Sequence, residues 1–486
     1  MVGNKENLIR TRFAPSPTGE LHIGGARTVL FNYLFAKQNN GQFILRIEDT
    51  DVARNQEEFV KRQYEDLLWL GLKPDESILQ PGDYGPYRQT QRLEIYRNYI
   101  DKLIQEKKAY YCFCSQEELT QEKERYIKEN GKSNYQYSRK CLQLSEKEVQ
   151  SFLQKKIPYV LRLKIPQERN YSFRDLVRDE VKFQGKDIED FVLFRQNGIP
   201  NYNFACVIDD CLMKISHVLR GEEHLSNAGK QLVLYEELGW NSPLFGHISI
   251  ILNKEKKKLS KRDKETSQWQ LIGQLREKGY LPQAIVNYLL LLGWHPGTTE
   301  EVFNLEEAIK QFNLEGLNAR GAVYDLEKLN WYNNYYIQKL EENEFAEYAW
   351  QFLSKKYNLE KEKKEWVKQI SLLFRPQLSY FAELIDLTAY FFQTPNQEIE
   401  IKENEILWCQ KLRAELSKLE KWEVENIKLV LKSVCLNNQA PKKEFYLLVR
   451  NVLTGTDKGP ELPRIIYLLN KWEVEKRFKI INIEKI

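Results

Sequence analysis

At 486 residues the chain is too long for a single core, and domains of roughly 100 to 200 residues point to about three of them. Its composition of 42% hydrophobic, 29% charged and 12% aromatic residues excludes a disordered or fibrous protein, and a formal net charge of +4 confines any nucleic-acid surface to a local patch. The opening residues lack the apolar region of a secretory signal, no run approaches the ~20 apolar residues of a membrane span, and scattered cysteines suit free thiols, so a cytoplasmic protein without membrane contact is expected.

Short strands are predicted at 8–14 (LIRTRFA) and 42–48 (QFILRIE), flanking an amphipathic helix over 24–38 that carries Val29, Leu30, Tyr33 and Leu34. A second helix follows at 56–70, closed by Gly71, and a third at 90–108 with Leu93, Tyr96, Ile100, Leu103 and Ile104 on one face. This opening resembles half of a nucleotide-binding doubly wound sheet. Between about 110 and 200 a charged helical stretch with three cysteines gives way to PYVLRLKIP. There Tyr159, Leu161, Leu163 and Ile165 alternate as in a half-buried strand, which points to an inserted α+β subdomain. Strand and helix alternation resumes through NYNFACVIDD, HVLRGEEHL, a helix over 227–238 and HISIILN; beyond about 265 the pattern is helical. The fold expected is an α/β Rossmann-like domain with an α+β insert, followed by an all-α region.

Two stretches carry chemistry. In PSPTGELHIGG the prolines and Gly19 set a tight turn after the first strand, and Gly24 and Gly25 allow a close approach to the backbone where a helix begins. Helix N-termini favour anions, so His22 would sit beside a phosphate, or it caps the helix. In KEKKKLSKRD, residues 254–263, the lysines either line a solvated loop or stabilise charge moving onto leaving pyrophosphate. GEEHLSNAGKQ lacks the spacing of a P-loop, so any ATP is held another way.

PSPTGELHIGG and KLSKR resemble, in order, the two signatures of class I aminoacyl-tRNA synthetases. RFAPSPTG, RIEDTD, YRQTQR, YNFACVIDD, HVLRGEEHLSN and YDLEKLNW resemble the glutamyl-tRNA synthetases over residues 10–335. The helical remainder resembles that family's anticodon-binding part. The resemblance implies ATP-dependent ligation of L-glutamate to tRNA(Glu) through a glutamyl-adenylate, with Mg2+ accompanying ATP, in a monomer, and tRNA(Gln) is a further substrate only if position 377 tolerates its anticodon. It implies a catalytic domain in two halves, 1–109 and 201–264, an acceptor-binding insert at 110–200, a helical connector at 265–335 and an anticodon-binding domain at 336–486. His22, Lys258 and Lys261 would be catalytic, with His22, Gly24, Gly25 and Lys261 at ATP. Arg12 with Tyr202 would hold the glutamate side-chain carboxylate, Arg220 the α-carboxylate, and Glu48 with Ser16 the α-amino group. The residue types agree, since two carboxylates need cations and an ammonium needs an acid.

The rivals are a glutaminyl-tRNA synthetase, which usually carries β-barrel anticodon domains, and a non-catalytic RNA-binding paralogue. Three departures from the family pattern bear on the sites. Gly25 stands where many class I enzymes have a second histidine, which shifts phosphate contact onto His22. Cys112, Cys114 and Cys141 resemble a zinc site whose fourth position here is Gln143, a poor ligand, so no metal is expected; with metal, Tyr137 or water would have to substitute. Gln377 stands where relatives that reject tRNA(Gln) tend to carry an arginine, and an amide that both donates and accepts is expected to tolerate C or G there.

Overall fold

The structure, a computed structural model, describes residues 8–51, 53–131, 135–259, 267–395 and 401–480. It divides into two compact units. One comprises the described residues through Leu275 together with Ile285–Leu326; the other comprises Arg276–Ala284 and the described residues from Glu327 onward. The division falls inside the stretch expected to form the connector.

The first unit opens with β1 (Arg10–Phe13), α1 (Ile23–Gln38) and β2 (Gln42–Leu45), the strands pairing in parallel from Arg10 opposite Gln42 to Phe13 opposite Leu45. Two helices follow, α2 (Glu57–Trp69) and α3 (Leu93–Gln105). The expected amphipathic character of α1 gives way to burial around most of its circumference, including Arg27 and Asn32. Both polar side chains reach distant carbonyls: Arg27 Nη1 donates to Leu292 O at 2.8 Å, and Asn32 Nδ2 to Leu219 O at 2.9 Å, while Arg27 Nε and Asn32 Oδ1 stay buried without a partner among the described residues. On the apolar side Phe31 stacks on Phe312 with centroids 5.6 Å apart. A helix enclosed in this way gains about 1.5–3 kcal/mol for each large apolar side chain it buries, and it fixes its N-terminus rigidly.

The insert follows as β3 (Ala109–Cys112), α4 (Gln116–Asn130), α5 (Glu146–Gln154), β4 (Val160–Leu163), β5 (Asn170–Asp175), β6 (Asp179–Gln184) and β7 (Val192–Phe194). Strands β3, β4 and β7 form an antiparallel sheet, and β5 and β6 form a hairpin. The alternation read from PYVLRLKIP holds for buried Leu161, Leu163 and Ile165 but fails at Tyr159, which is exposed, and at Arg162, which is buried as well. Its guanidinium lies 4.1 Å from the Tyr137 ring centroid and donates to Asp190 O at 2.8 Å, so the supposed solvent face is covered.

The first unit then closes its parallel strands with α6 (Tyr202–Leu212), β8 (His217–Gly221), α7 (Leu225–Leu238) and β9 (Leu244–Ile248). NYNFACVIDD is therefore helical. Strands β8 and β9 pair in parallel, and the Ser216 N–H donates to Arg10 O at 2.9 Å, tying β8 to β1. One core runs through Ile44, Tyr96, Leu163, Leu193, Phe204, Val233 and Phe245, so the insert shares its apolar interior with the parallel strands. Next come β10 (Ile251–Leu252), α8 (Ile272–Glu277), α9 (Pro282–Leu291), α10 (Leu305–Gln311) and β11 (Ala322–Val323), where β10 and β11 pair in parallel.

The second unit is helical: α11 (Leu326–Lys339), α12 (Glu342–Tyr357), α13 (Lys364–Phe374), α14 (Glu383–Leu387), α15 (Ala389–Phe392), α16 (Glu403–Ser417), α17 (Val424–Asn437), α18 (Lys442–Thr454) and α19 (Leu462–Ile480). Tyr348, Phe352 and Phe381 stack within it. Gly279 approaches this aromatic group at φ +83°, and a Cβ there would lie 2.6 Å from that of Phe381, so only glycine fits.

Candidate active site

The site begins at the end of β1. Arg12 is buried, and its Nε and Nη2 face the two Asp210 oxygens at 3.3 and 3.5 Å. Arg46, just past β2 and also buried, donates from Nη1 to Asp210 Oδ1 at 2.6 Å and from Nη2 to Glu48 Oε1 at 2.9 Å. Two arginines and two carboxylates thus interlock away from water. Burial opposes every one of these charges, yet the two guanidiniums hold Asp210 below the ordinary carboxylate range, and Asp210 in turn raises Arg12. Glu48 is raised by its burial, which the Arg46 charge only partly offsets.

Adjacent acids on one helix share Arg46, whose Nε lies 3.7 Å from Asp209, but otherwise serve different neighbours, because successive side chains point about 100° apart. Whereas Asp210 faces the two arginines, Asp209 accepts from Arg92 Nε at 2.6 Å, from Gln89 Nε2 at 2.9 Å and from the Tyr96 hydroxyl at 2.8 Å. VIDD and YRQTQR therefore fasten α6 to α3. Arg46 and Asp210 went unassigned in the sequence although both lie inside quoted motifs; an acid pair on an apolar helix was the available signal.

Tyr202 opens α6, partly buried and within electrostatic reach of Glu48, Arg220 and Arg12, which brings four of the five expected glutamate-binding residues to one place. Arg220, in β8, donates from Nη1 to Gln231 Oε1 at 2.8 Å and from Nε to His247 Nε2 at 3.1 Å. Its Nη2 is buried with no hydrogen-bond partner among the described residues. His224 lies 3.3 Å from the Tyr202 hydroxyl through Nδ1, and burial with the Arg220 charge pushes it down to about 4. The fifth residue, Ser16, is exposed on the loop that the Glu48 N–H holds by donating to Pro15 O at 3.0 Å.

His22 is the N-cap of α1: its Nδ1 accepts from the Gly24 N–H at 3.1 Å, and Nε2 lies 2.8 Å from Gln270 Oε1. The capping alternative is thus realised, and it fixes the ring beside the helix N-terminus. A Cβ on Gly25 would press Leu21 at 3.2 Å, so this glycine also serves packing; one on Gly24 would meet only His22 Nδ1, at 3.6 Å. Lys258 is exposed beyond a turn in which Asn253 Oδ1 accepts from the Lys257 N–H at 2.9 Å. Lys261 lies outside the described residues.

In the insert the ligand atoms of Cys112, Cys114 and Cys141 lie within 4.8 Å of one another. The Tyr137 hydroxyl is 3.4 Å from Cys112 Sγ and 3.5 Å from Cys114 Sγ. A hydrogen bond from Cys141 pushes the Cys112 thiol down, while that same bond pushes Cys141 up and burial pushes Cys114 and the Tyr137 phenol up, so the group favours a single thiolate. The expectation of no metal takes Gln143 as the fourth position; the structure sets the Tyr137 hydroxyl beside the thiols instead, the substitute a metal would need for a fourth protein donor. Elemental analysis of the purified chain is expected to find about one zinc per chain, lost in Cys114→Ser. Zinc far below that in the unaltered chain would leave the three residues as plain thiols.

Gln377 is exposed on a short 3-10 turn, Arg375–Gln377, after α13. Its neighbour Arg375 donates from Nη2 to Gln338 O at 2.9 Å, so that cation is committed to the end of α11.

Comparison with known proteins agrees with this architecture. Residues 8–331 match the family described as tRNA synthetases class I (E and Q), catalytic domain, and residues 344–481 match an anticodon binding domain. The chain is 44% identical over 488 residues to a glutamate–tRNA ligase of Geobacillus thermodenitrificans, covering 98% of this chain and 99% of that one. It is 41% identical over 485 residues to that of Bacillus subtilis, covering 98% and 100%. A crystal structure of a glutamate tRNA ligase from Elizabethkingia meningosepticum, in complex with its amino acid, superposes with a TM-score of 0.87 at 34% identity over 98% of this chain and 99% of that one.

Proposed function

The chain belongs to the glutamate–tRNA ligase family of class I tRNA synthetases, and from that membership we propose that it joins L-glutamate to tRNA(Glu) using ATP. The observation that carries the reading is the group of buried Arg12, Arg220 and Glu48 with partly buried Tyr202, which matches two carboxylates and one ammonium in sign and number. Arg12, held by Asp210, takes the side-chain carboxylate beside Tyr202; the unpartnered Nη2 of Arg220 takes the α-carboxylate; Glu48 with Ser16 takes the α-amino group.

Chemistry then proceeds by positioning. An α-carboxylate oxygen attacks the α-phosphorus of ATP, the bond to the bridging oxygen breaks, and pyrophosphate leaves. His22 and the N-terminus of α1, opened by Gly24 and Gly25, stabilise the phosphates, with Lys258 and Lys261 offsetting charge as it moves onto pyrophosphate. A terminal ribose hydroxyl of the tRNA next attacks the activated carbonyl and AMP departs. Mg2+ enters as the counter-ion of the nucleotide. No covalent enzyme intermediate is needed.

The helical second unit favours this reading over a glutaminyl-tRNA synthetase. Seven free thiols support a cytoplasmic setting, and drawing the whole chamber from one chain supports a monomer. Labelled glutamate should load onto a tRNA(Glu) transcript only with ATP; loading of labelled glutamine instead would transfer the chain to the rival.

Exposure of Gln377 supports a tolerant anticodon contact. A tRNA(Gln) transcript is expected to be glutamylated within about tenfold of tRNA(Glu), and Gln377→Arg to lower it selectively by roughly 5- to 150-fold, the range for one base-edge contact. Equal charging of both transcripts by Gln377→Arg would remove this residue from discrimination.

A further inference from the structure

Arg220 can grip a carboxylate only if its fork is held still, and the structure shows what holds it. His247, in β9, is fully buried; its Nδ1 lies 2.5 Å from Asp175 Oδ2, and its Nε2 lies 3.1 Å from Arg220 Nε. An ionised carboxylate only accepts and a guanidinium N–H only donates, so these contacts require a neutral imidazole with its proton on Nδ1 and its lone pair on Nε2. Burial, joined by the Arg220 and Arg178 charges, outweighs the upward pull of Asp175 and lowers the His247 pKa, which accords with the neutral form that the contacts require. Asp175 is anchored in turn at the end of β5: its Oδ1 accepts from the N–H groups of Val177, Arg178 and His247 at 2.9, 3.1 and 3.2 Å.

We propose that Asp175 and His247 form a positioning relay for Arg220, in which a hairpin of the insert sets the histidine tautomer and thereby aims the free Nη2 at the substrate α-carboxylate. The proposal rests on the reading of Arg220 given above. The relay spans β5, β9 and β8, and Gln231 holds the opposite edge of the fork, leaving one nitrogen to bind substrate. A doubly protonated ring, or one carrying its proton on Nε2, would turn a donor against the Arg220 N–H and release the fork.

The test compares KM for glutamate, KM for ATP and kcat in His247→Phe, His247→Gln and Asp175→Asn. His247→Phe keeps the ring's bulk but removes the acceptor, and should raise KM for glutamate by about 10- to 100-fold with KM for ATP held within about twofold. His247→Gln restores an acceptor near the Nε2 position and should recover most of that loss. Asp175→Asn presents an amide donor to Nδ1 and should move toward the phenylalanine variant. Unchanged glutamate KM in both His247→Phe and Asp175→Asn, or a loss confined to melting temperature and active fraction, would overturn the relay. Should the phenylalanine variant fail to fold, a glutamate KM that is unchanged in Asp175→Asn overturns it alone. A wild-type protein that charges no glutamate would refute the underlying reading instead.

Discussion

Arg12→Ala is expected to lower kcat/KM for glutamate by roughly 30-fold to several thousandfold, the ~2–5 kcal/mol typical of removing one partner from a desolvated charge pair. KM for ATP should stay within about twofold, because the lost contact belongs to the amino acid and not to the nucleotide. The fold should survive, since Asp210 keeps Arg46 at 2.6 Å and is not left as an unpaired buried charge. Selectivity should fall with activity: a carboxylate forms a charge-assisted pair with the guanidinium that a glutamine amide cannot match, so the preference for acid over amide narrows. Steady-state kinetics with both amino acids measures this. A variant that keeps the wild-type KM for glutamate would put the side-chain carboxylate on another cation.

His22→Ala should slow adenylate formation by about 100- to 1,000-fold through loss of an electrostatic contact to the phosphates. Because Nδ1 also caps α1, the same change should cost about 0.5–2 kcal/mol of stability. His22→Asn separates the two effects. Asparagine is a good N-cap and should recover the melting temperature, but it carries no imidazole and should stay slow in single-turnover activation. Recovery of both stability and rate by asparagine would reduce His22 to a cap. Lys261→Ala should match the alanine variant in rate.

How far the sequence reaches depends on how local each feature is. The spacing of Val29, Leu30 and Leu34 delimits α1 to within one residue, and the strand runs on either side locate β1 and β2 while overrunning their ends by up to three residues, because those signals lie within one window. Arg12 and Arg220 stand out as candidate carboxylate-binding cations from charge logic together with the family motifs. What holds them is not. Asp210 stands 198 residues from Arg12, and Asp175 stands 72 from His247, so each pairing exists only once β1, α6, β5 and β9 converge. Arg162 was misjudged for a related reason: alternation assigns it to solvent, but the Tyr137 ring covers that face. The same tyrosine, contributed by the loop before Cys141, lies beside the thiols, where the family resemblance points to Gln143. The β5–β6 hairpin carries its own signal, alternation through YSFRD, a turn and then EVKFQ, and was passed over inside a segment dominated by charge.

The most direct measurement is glutamate-dependent exchange of labelled pyrophosphate into ATP, run with tRNA(Glu) present. With Arg12, Arg220 and Glu48 reading two carboxylates and one ammonium, glutamate should support exchange strongly, glutamine at least about a hundredfold less, and Arg12→Ala should narrow that gap. Equal exchange with glutamine, or none with glutamate, would contradict the account.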